Sequence, residues 1–168
     1  MAQLDNTNLL IAAIGDHVIM KVDMVNQTED VYVGQLNSPG DSRTAIGPRK
    51  KVVLHMPGGV AVKSSEIFYI GLSSHGMMLV VNTTGDTVSL LKNLERYIYR
   101  LAYDSATNFL YMSTNDGFEY IYTRTGNNYT MISGKDFEGA SWNPWWSEVS
   151  FVKMETYVWI LTVRGING

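Results

Sequence analysis

Along most of its length the chain is written in short runs of Val, Ile, Leu, Tyr, Phe and Thr, separated by clusters of Gly, Asn, Asp and Ser. A helix needs apolar residues to return every three or four positions over several turns. Here they come in runs too short for that, bounded by the residues that tight turns select, which is the pattern of antiparallel strands. Strands are expected near 9–14, 17–25, 30–36, 51–56, 59–63, 67–73, 77–82, 86–92, 97–103, 109–114, 117–123, 128–133, 148–153 and 156–163. The best helix candidate is 88–96, where Leu90, Leu91 and Leu94 are suitably spaced. It is short and lacks convincing caps, so the fold class is read as all-β, with antiparallel meander sheets.

At 168 residues the chain is read as one all-β domain. Apolar residues make up 45% and charged residues 17%, enough of the first and little enough of the second for a packed core rather than disorder. Two features subdivide it. Residues 36–51, LNSPGDSRTAIGPRKK, hold two prolines, two glycines and almost no apolar pattern, and read as a long loop or arm. Aromatic residues are also unevenly placed, three in 1–84 against sixteen in 85–168. An aliphatic part over 1–64 and an aromatic part over 65–168 is one way to divide the chain.

An irregular repeat runs through it. Segments 72–85, 101–117 and 149–165 each show an apolar strand, a short polar turn, a second apolar strand and a turn ending in Gly. The central copy continues into a four-strand unit: strands 97–103, 109–114, 117–123 and 128–133, with turns DSATN, NDG and RTGNN between them. The run LAYDSATNFLYMSTNDGFEYIYTRTG, 101–126, resembles β-propeller blades of the NHL and quinoprotein-like kind. The resemblance implies that this run forms inner strands of a blade, with Asn115-Asp116-Gly117 turning between the second and third. It contains no diagnostic dipeptide such as the Trp-Asp of WD40 repeats. About fourteen strands make three to four small sheets or blades, at or below the number that closes a ring. Open sheet edges then call for cover by another chain.

Alternation along a strand places Tyr97, Tyr99, Leu101 and Tyr103 on one face and Ile98, Arg100 and Ala102 on the other. Neither face is cleanly polar, so this sheet is expected between two neighbours, or between a neighbour and a partner subunit, with Tyr97, Tyr99, Tyr120 and Tyr122 packed between sheets.

Chemistry is hard to find. With no cysteine, disulfides, thiolate zinc sites and cysteine nucleophiles are excluded. Fingerprints of the GxSxG, HExxH, P-loop and dinucleotide-binding kinds are absent. His17, His55 and His75 are scattered and read as core or turn residues rather than ligands or catalysts. Asp30, Asp41, Asp86, Asp104, Asp116 and Asp136 read as turn residues, because a short carboxylate bonds local backbone. Paired carboxylates for glycoside hydrolysis are the weaker reading. No catalytic residue, metal or cofactor is therefore expected.

The candidate interface residues fall into two groups. Arg43, Arg49, Lys50 and Lys51 form the only basic cluster, read as a solvated loop or a contact with an acidic subunit surface. Net charge is −3 and no aromatic residues interleave the cluster, which disfavours nucleic acid. The segment 141–147, SWNPWWS, carries Trp142, Trp145 and Trp146 around Pro144. Three indoles broken by a proline cannot all enter one core from one regular strand, so some of this surface is expected to be exposed. Tryptophan anchors protein interfaces and stacks on sugar rings.

No run is long enough to span a bilayer, and 9–14 is read as a buried strand rather than a leader. The expectation is a soluble, non-enzymatic structural or assembly subunit, homo- or hetero-oligomeric. Its cysteine-free composition, rich in Asn, Thr and Gly, looks like that of bacteriophage tail, connector or capsid-associated proteins, which implies assembly in a host cytoplasm and residence in the virion. Nine methionines suit adaptable packing surfaces. The alternative expectation is a glycan- or receptor-binding module using the tryptophans.

Overall fold

The computed structural model describes residues 1–41, 44–115, 117–122, 131–133, 147–154 and 157–164, with side chains as far as 115. The fold is all-β, and every described strand pairing is antiparallel. Sheet I runs in chain order through β1 (Ala2–Gln3), β2 (Asn8–Ala13), β3 (Val18–Asp23) and β4 (Thr28–Val33). Sheet II is built from β5 (Gly47–Pro48), β6 (Pro57–Val62), β7 (Ile67–Leu72), β8 (Met77–Asn82) and β9 (Thr87–Asn93), in the order β5-β9-β8-β7-β6. Sheet III is again in chain order: β10 (Ile98–Asp104), β11 (Phe109–Thr114), β12 (Gly117–Tyr122) and β13 (Met131–Ser133). β14 (Ser147–Met154) and β15 (Tyr157–Arg164) form a hairpin. The candidate helix at 88–96 is mostly strand β9, where Leu90 and Val88 are in ladder register with Leu79 and Val81.

Turns are made by the residue types the sequence supplies there. Asp5 Oδ1 accepts the amides of Thr7 and Asn8, both at 2.9 Å. Asp23 Oδ1 does the same for Val25 and Asn26 at 2.9 and 3.0 Å, and Asp104 Oδ1 for Ala106 at 2.9 Å. These bonds hold the carboxyls of Asp5 and Asp23 below the usual carboxylate range, the backbone amides of Thr7 and Asn26 contributing most. Asp30 departs from the turn reading. It lies within β4, where Lys50 Nζ donates to it at 3.0 Å and lowers its pKa.

Sheet II is the middle layer, which explains why its strands are apolar on both faces. Along β7, Phe68, Ile70 and Leu72 join Leu10, Ile19 and Val33 of sheet I in one core, completed by Leu79 and Val81 of β8. The alternate residues Tyr69 and Met78 join Ile98, Leu110 and Met112 of sheet III in a second core. β6 lies beside β10 on one flank and beside β1 and β2 on the other. The approach to β10 depends on glycine. A Cβ at Gly58 would overlap Ser73 Oγ and the Ile98 carbonyl oxygen, and one at Gly59 would stand 2.8 Å from the Leu101 nitrogen.

Two other expectations are corrected by this arrangement, and the course of the 36–51 loop is given by it. Residues 51–56 form no sheet strand. Val52 and Leu54 are buried, but the amide of Val53 donates to the Thr44 carbonyl (2.9 Å) and Leu54 accepts from Gly40 (2.8 Å). The same bonds tie the 36–51 segment down; Ala45 is fully buried and β5 pairs with β9. Finally, a register shift between Ile98 and Arg100 breaks simple alternation in β10, so Ile98 joins the core that Leu101 and Tyr103 pack against. Tyr97, ahead of that bulge, is 51% exposed instead of packed between sheets. Tyr99 is half-buried, and the side chains of Tyr120 and Tyr122 lie outside the described residues.

Candidate functional site

All three histidines of the chain meet at one place. His17 sits in the β2–β3 turn, His55 just ahead of β6 and His75 in the β7–β8 turn. The His55 ring is central, with centroids 5.2 Å from His17 and 5.1 Å from His75. The three rings are half-buried. His17 Nδ1 accepts the amide of Met56 at 3.1 Å, which places the proton of the neutral ring on Nε2. Ser74 Oγ donates to the His55 carbonyl at 3.1 Å and lies 2.8 Å from His75 Nδ1, so the imidazole is the donor in that second contact. The hydroxyl proton of Ser74 is thus committed to a carbonyl and not to the ring beside it. His55 Nδ1 is buried without a partner. Burial first, then the charges of His75 and His17, hold the pKa of His55 below its usual value of 6.5.

Among the described residues, no group of three His, Cys, Asp or Glu side chains is arranged to hold a metal ion. The stack links the β2–β3 turn of sheet I to the approach to β6 and the β7–β8 turn of sheet II. Exposed apolar side chains lie near it in the fold: Ile14 in the same turn as His17, Met56 bonded to His17, and Leu36, whose neighbour Asn37 donates to the Asp16 carbonyl at 3.0 Å.

The basic cluster has partners within the chain. Arg49 Nε reaches Asp86 Oδ1 at 3.2 Å, and its guanidinium lies 4.2 Å above the ring of Tyr32 in β4. Lys50 Nζ pairs with Asp30 and also donates to the Val31 carbonyl. The Lys51 carbonyl accepts from Gln35 Nε2 at 3.1 Å. Arg49 and Lys50 accordingly clamp the 36–51 segment between sheets I and II. Arg43, Trp142, Pro144, Trp145 and Trp146 lie outside the described residues.

A surface not singled out from the sequence is the outer face of sheet I. Register places Leu9 opposite Val22 and Ile11 opposite Met20, with Met20 opposite Val31 on the next strand. All five are half-buried, and none belongs to either core or packs against one. The outer face of sheet III differs in chemistry. Ala102 is opposite Tyr111, and Phe109 contacts Tyr111 with ring centroids 6.0 Å apart. The signal was available in 8–13, where Leu9, Ile11 and Ala13 alternate with Leu10 and Ala12, so that both parities are apolar.

No protein-family model matches the sequence, and no curated protein matches it. Among solved structures, the chain is similar to Kuenenia stuttgartiensis hydrazine synthase, with a TM-score of 0.53 and 15% identity over 73% of this chain and 31% of that one. It also aligns with an auxiliary nutrient binding protein from Bacteroides thetaiotaomicron VPI-5482, with a TM-score of 0.46 and 9% identity over 91% of this chain and 47% of that one. The chain spans less than half the length of each. At such identity the first likeness concerns the fold alone, and it is consistent with the β-rich architecture described above.

Proposed function

We propose that this chain is a non-enzymatic assembly subunit whose sheets continue their face-to-face stacking into a neighbouring subunit. The observation that carries the reading is the aliphatic outer face of sheet I, formed by Leu9, Ile11, Met20, Val22 and Val31. Among the described residues, sheet II packs against a sheet on each face, and sheet I against one on its inner face. An apolar sheet face of this kind is more stable when covered, since each fully buried aliphatic side chain contributes roughly 1.5–3 kcal/mol relative to full exposure. The outer face of sheet III, with Phe109 and Tyr111, is a suitable counterpart. Aliphatic against aromatic faces give a head-to-tail contact, which builds a ring if the rotation closes and a filament if it does not.

The reading includes a propeller-like arrangement. It is supported by β6 lying beside β10 and beside β1 and β2, with a meander leading away from each first strand. A bacteriophage virion is the setting carried over from composition, and composition is its support.

Because the chain has no cysteine, paired cysteine variants report the contact directly. An equimolar mixture of Ile11→Cys and Ala102→Cys proteins, oxidised at high concentration, is expected to yield a disulfide joining one of each. A mixture that gives only like-to-like products or no cross-link contradicts the head-to-tail reading.

A further inference from the structure

The histidine stack stands outside the assembly surfaces. It joins the β2–β3 turn, the approach to β6 and the β7–β8 turn, and its hydrogen bonding depends on a protonation state. Met56 N–H points at His17 Nδ1, a position that can accept only while it carries no proton. His55 has a buried Nδ1 without a partner and an imidazole on each side at about the distance of ring contact. Two neighbours that gain positive charge on either side of a half-buried ring repel it and each other.

The charged groups on the elements packed round the stack are Asp16 on the β2–β3 turn, Asp41 and Lys51 on the connection, and Glu95 and Arg96 on the β9–β10 connection beside Gly76. Asp16, Lys51 and Glu95 are exposed. The charges that act on His55 are those of the other two imidazoles.

We propose that His17, His55 and His75 form an acid-released joint between sheets I and II. While neutral, the stack holds the β2–β3 turn against Met56 and the β7–β8 turn. A proton at His17 Nδ1 replaces an acceptor with a donor facing the Met56 amide, and the turn parts from the strand. His55 binds fewer protons folded than unfolded, because its folded pKa lies below 6.5. Its contribution to stability is therefore present above that value and is lost as pH falls from about 6.5 toward the folded pKa.

The test is made on the full chain, in two parts. First, the imidazole Cε1–H resonances are followed from about pH 8 to about pH 5, bracketing the ordinary histidine value. With three histidines there are three signals, assigned by single substitutions. The expected result is that His55 titrates below its ordinary value of 6.5 and that the protection factor of the Met56 amide falls over the same range, about tenfold for each unit of separation between folded and unfolded pKa. Titration of His55 at its ordinary value, or Met56 protection independent of pH, overturns the proposal. Second, the denaturation midpoint is compared at the two ends of that range for wild type, His17→Asn and His55→Gln. The asparagine side chain of the first variant offers an acceptor in place of Nδ1 and does not titrate. A fall in midpoint for wild type that is reduced in both variants supports the joint. An equal fall in all three proteins means that acid acts elsewhere, and overturns it. If a variant fails to fold, the wild-type titration still decides.

Discussion

The amide of Met56 donates to His17 Nδ1 at 3.1 Å, and both residues have left-handed backbones, φ 50° and 61° respectively. For non-glycine residues that conformation costs about 1–2 kcal/mol each. A single hydrogen bond returns about 1 kcal/mol net. The bond alone does not hold the pair in place. What offsets the rest is the burial on either side of it, with Val18 and Ile19 following His17, and Leu54 and Pro57 flanking the Met56 segment. Two strained residues that touch across a sheet–sheet contact mark a place where small chemical changes have structural consequences.

Gly58 and Gly15 separate close packing from backbone freedom. At Gly58 an added methyl meets the Ile98 carbonyl and Ser73 Oγ, groups that are themselves hydrogen-bonded at 2.7 Å. At Gly15 there is nothing within 4 Å. Gly58→Ala is expected to destabilise by about 2–3 kcal/mol through forced separation of β6 and β10. Gly15→Ala is expected to be neutral or to stabilise by up to about 1 kcal/mol. Urea unfolding of the two variants is the check.

Arg49 contributes more through packing than through its ion pair. Its side chain is 18% exposed, while that of Asp86 is 56% exposed, so the Coulombic part is screened and worth roughly 0–1 kcal/mol. The planar guanidinium against Tyr32 is the part a lysine cannot reproduce. Arg49→Lys is therefore expected to destabilise more than Asp86→Asn. Denaturation midpoints measured under identical conditions establish the order, and the reverse order places the energy in the ion pair.

The turn carboxylates give a second and more acidic pH dependence. Asp5 and Asp23 have folded pKa values below 3.8 because they accept turn amides. The stability they supply is present above the unfolded value and lost as pH falls through the folded one. Asp23→Asn, which can still accept a turn amide but resembles the protonated acid, is expected to lower stability near neutrality and to flatten the stability profile below about pH 4. Thermal melts at a series of acidic pH values measure this, and an unchanged acid limb contradicts it.

Strand class was legible because turn residues punctuate the chain at nearly every boundary, and β7, β8 and β11 lie where alternating or continuous apolar runs place them. The basic residues were legible as a cluster, but Asp86 is brought to Arg49 by the long-range β5–β9 pairing, and Asp30 and Tyr32 by the stacking of sheet I on sheet II. A local pattern also misleads at 51–56. Val52 and Leu54 do alternate into the core, yet the amide of Val52 donates to the Pro48 carbonyl, that of Val53 to Thr44, and Leu54 accepts from Gly40, so the segment joins no sheet. At β10 one bulge reverses the face assignment from Arg100 onward relative to Ile98. The histidine stack had only an indirect signal. Antiparallel meanders bring alternate turns to the same end, and two of the three histidines lie in such turns.

The claim that sheet stacking continues into a second subunit is tested most directly by the mass of the protein in solution, measured by light scattering on a sizing column. The expected result is a mass above the 18.8 kDa of one chain, rising with concentration until assembly is complete. Met20→Glu, which places a charge in the middle of the outer face of sheet I, is expected to return the mass to that of a single chain while the fold is retained by circular dichroism. A wild-type mass of one chain at every concentration would contradict the claim.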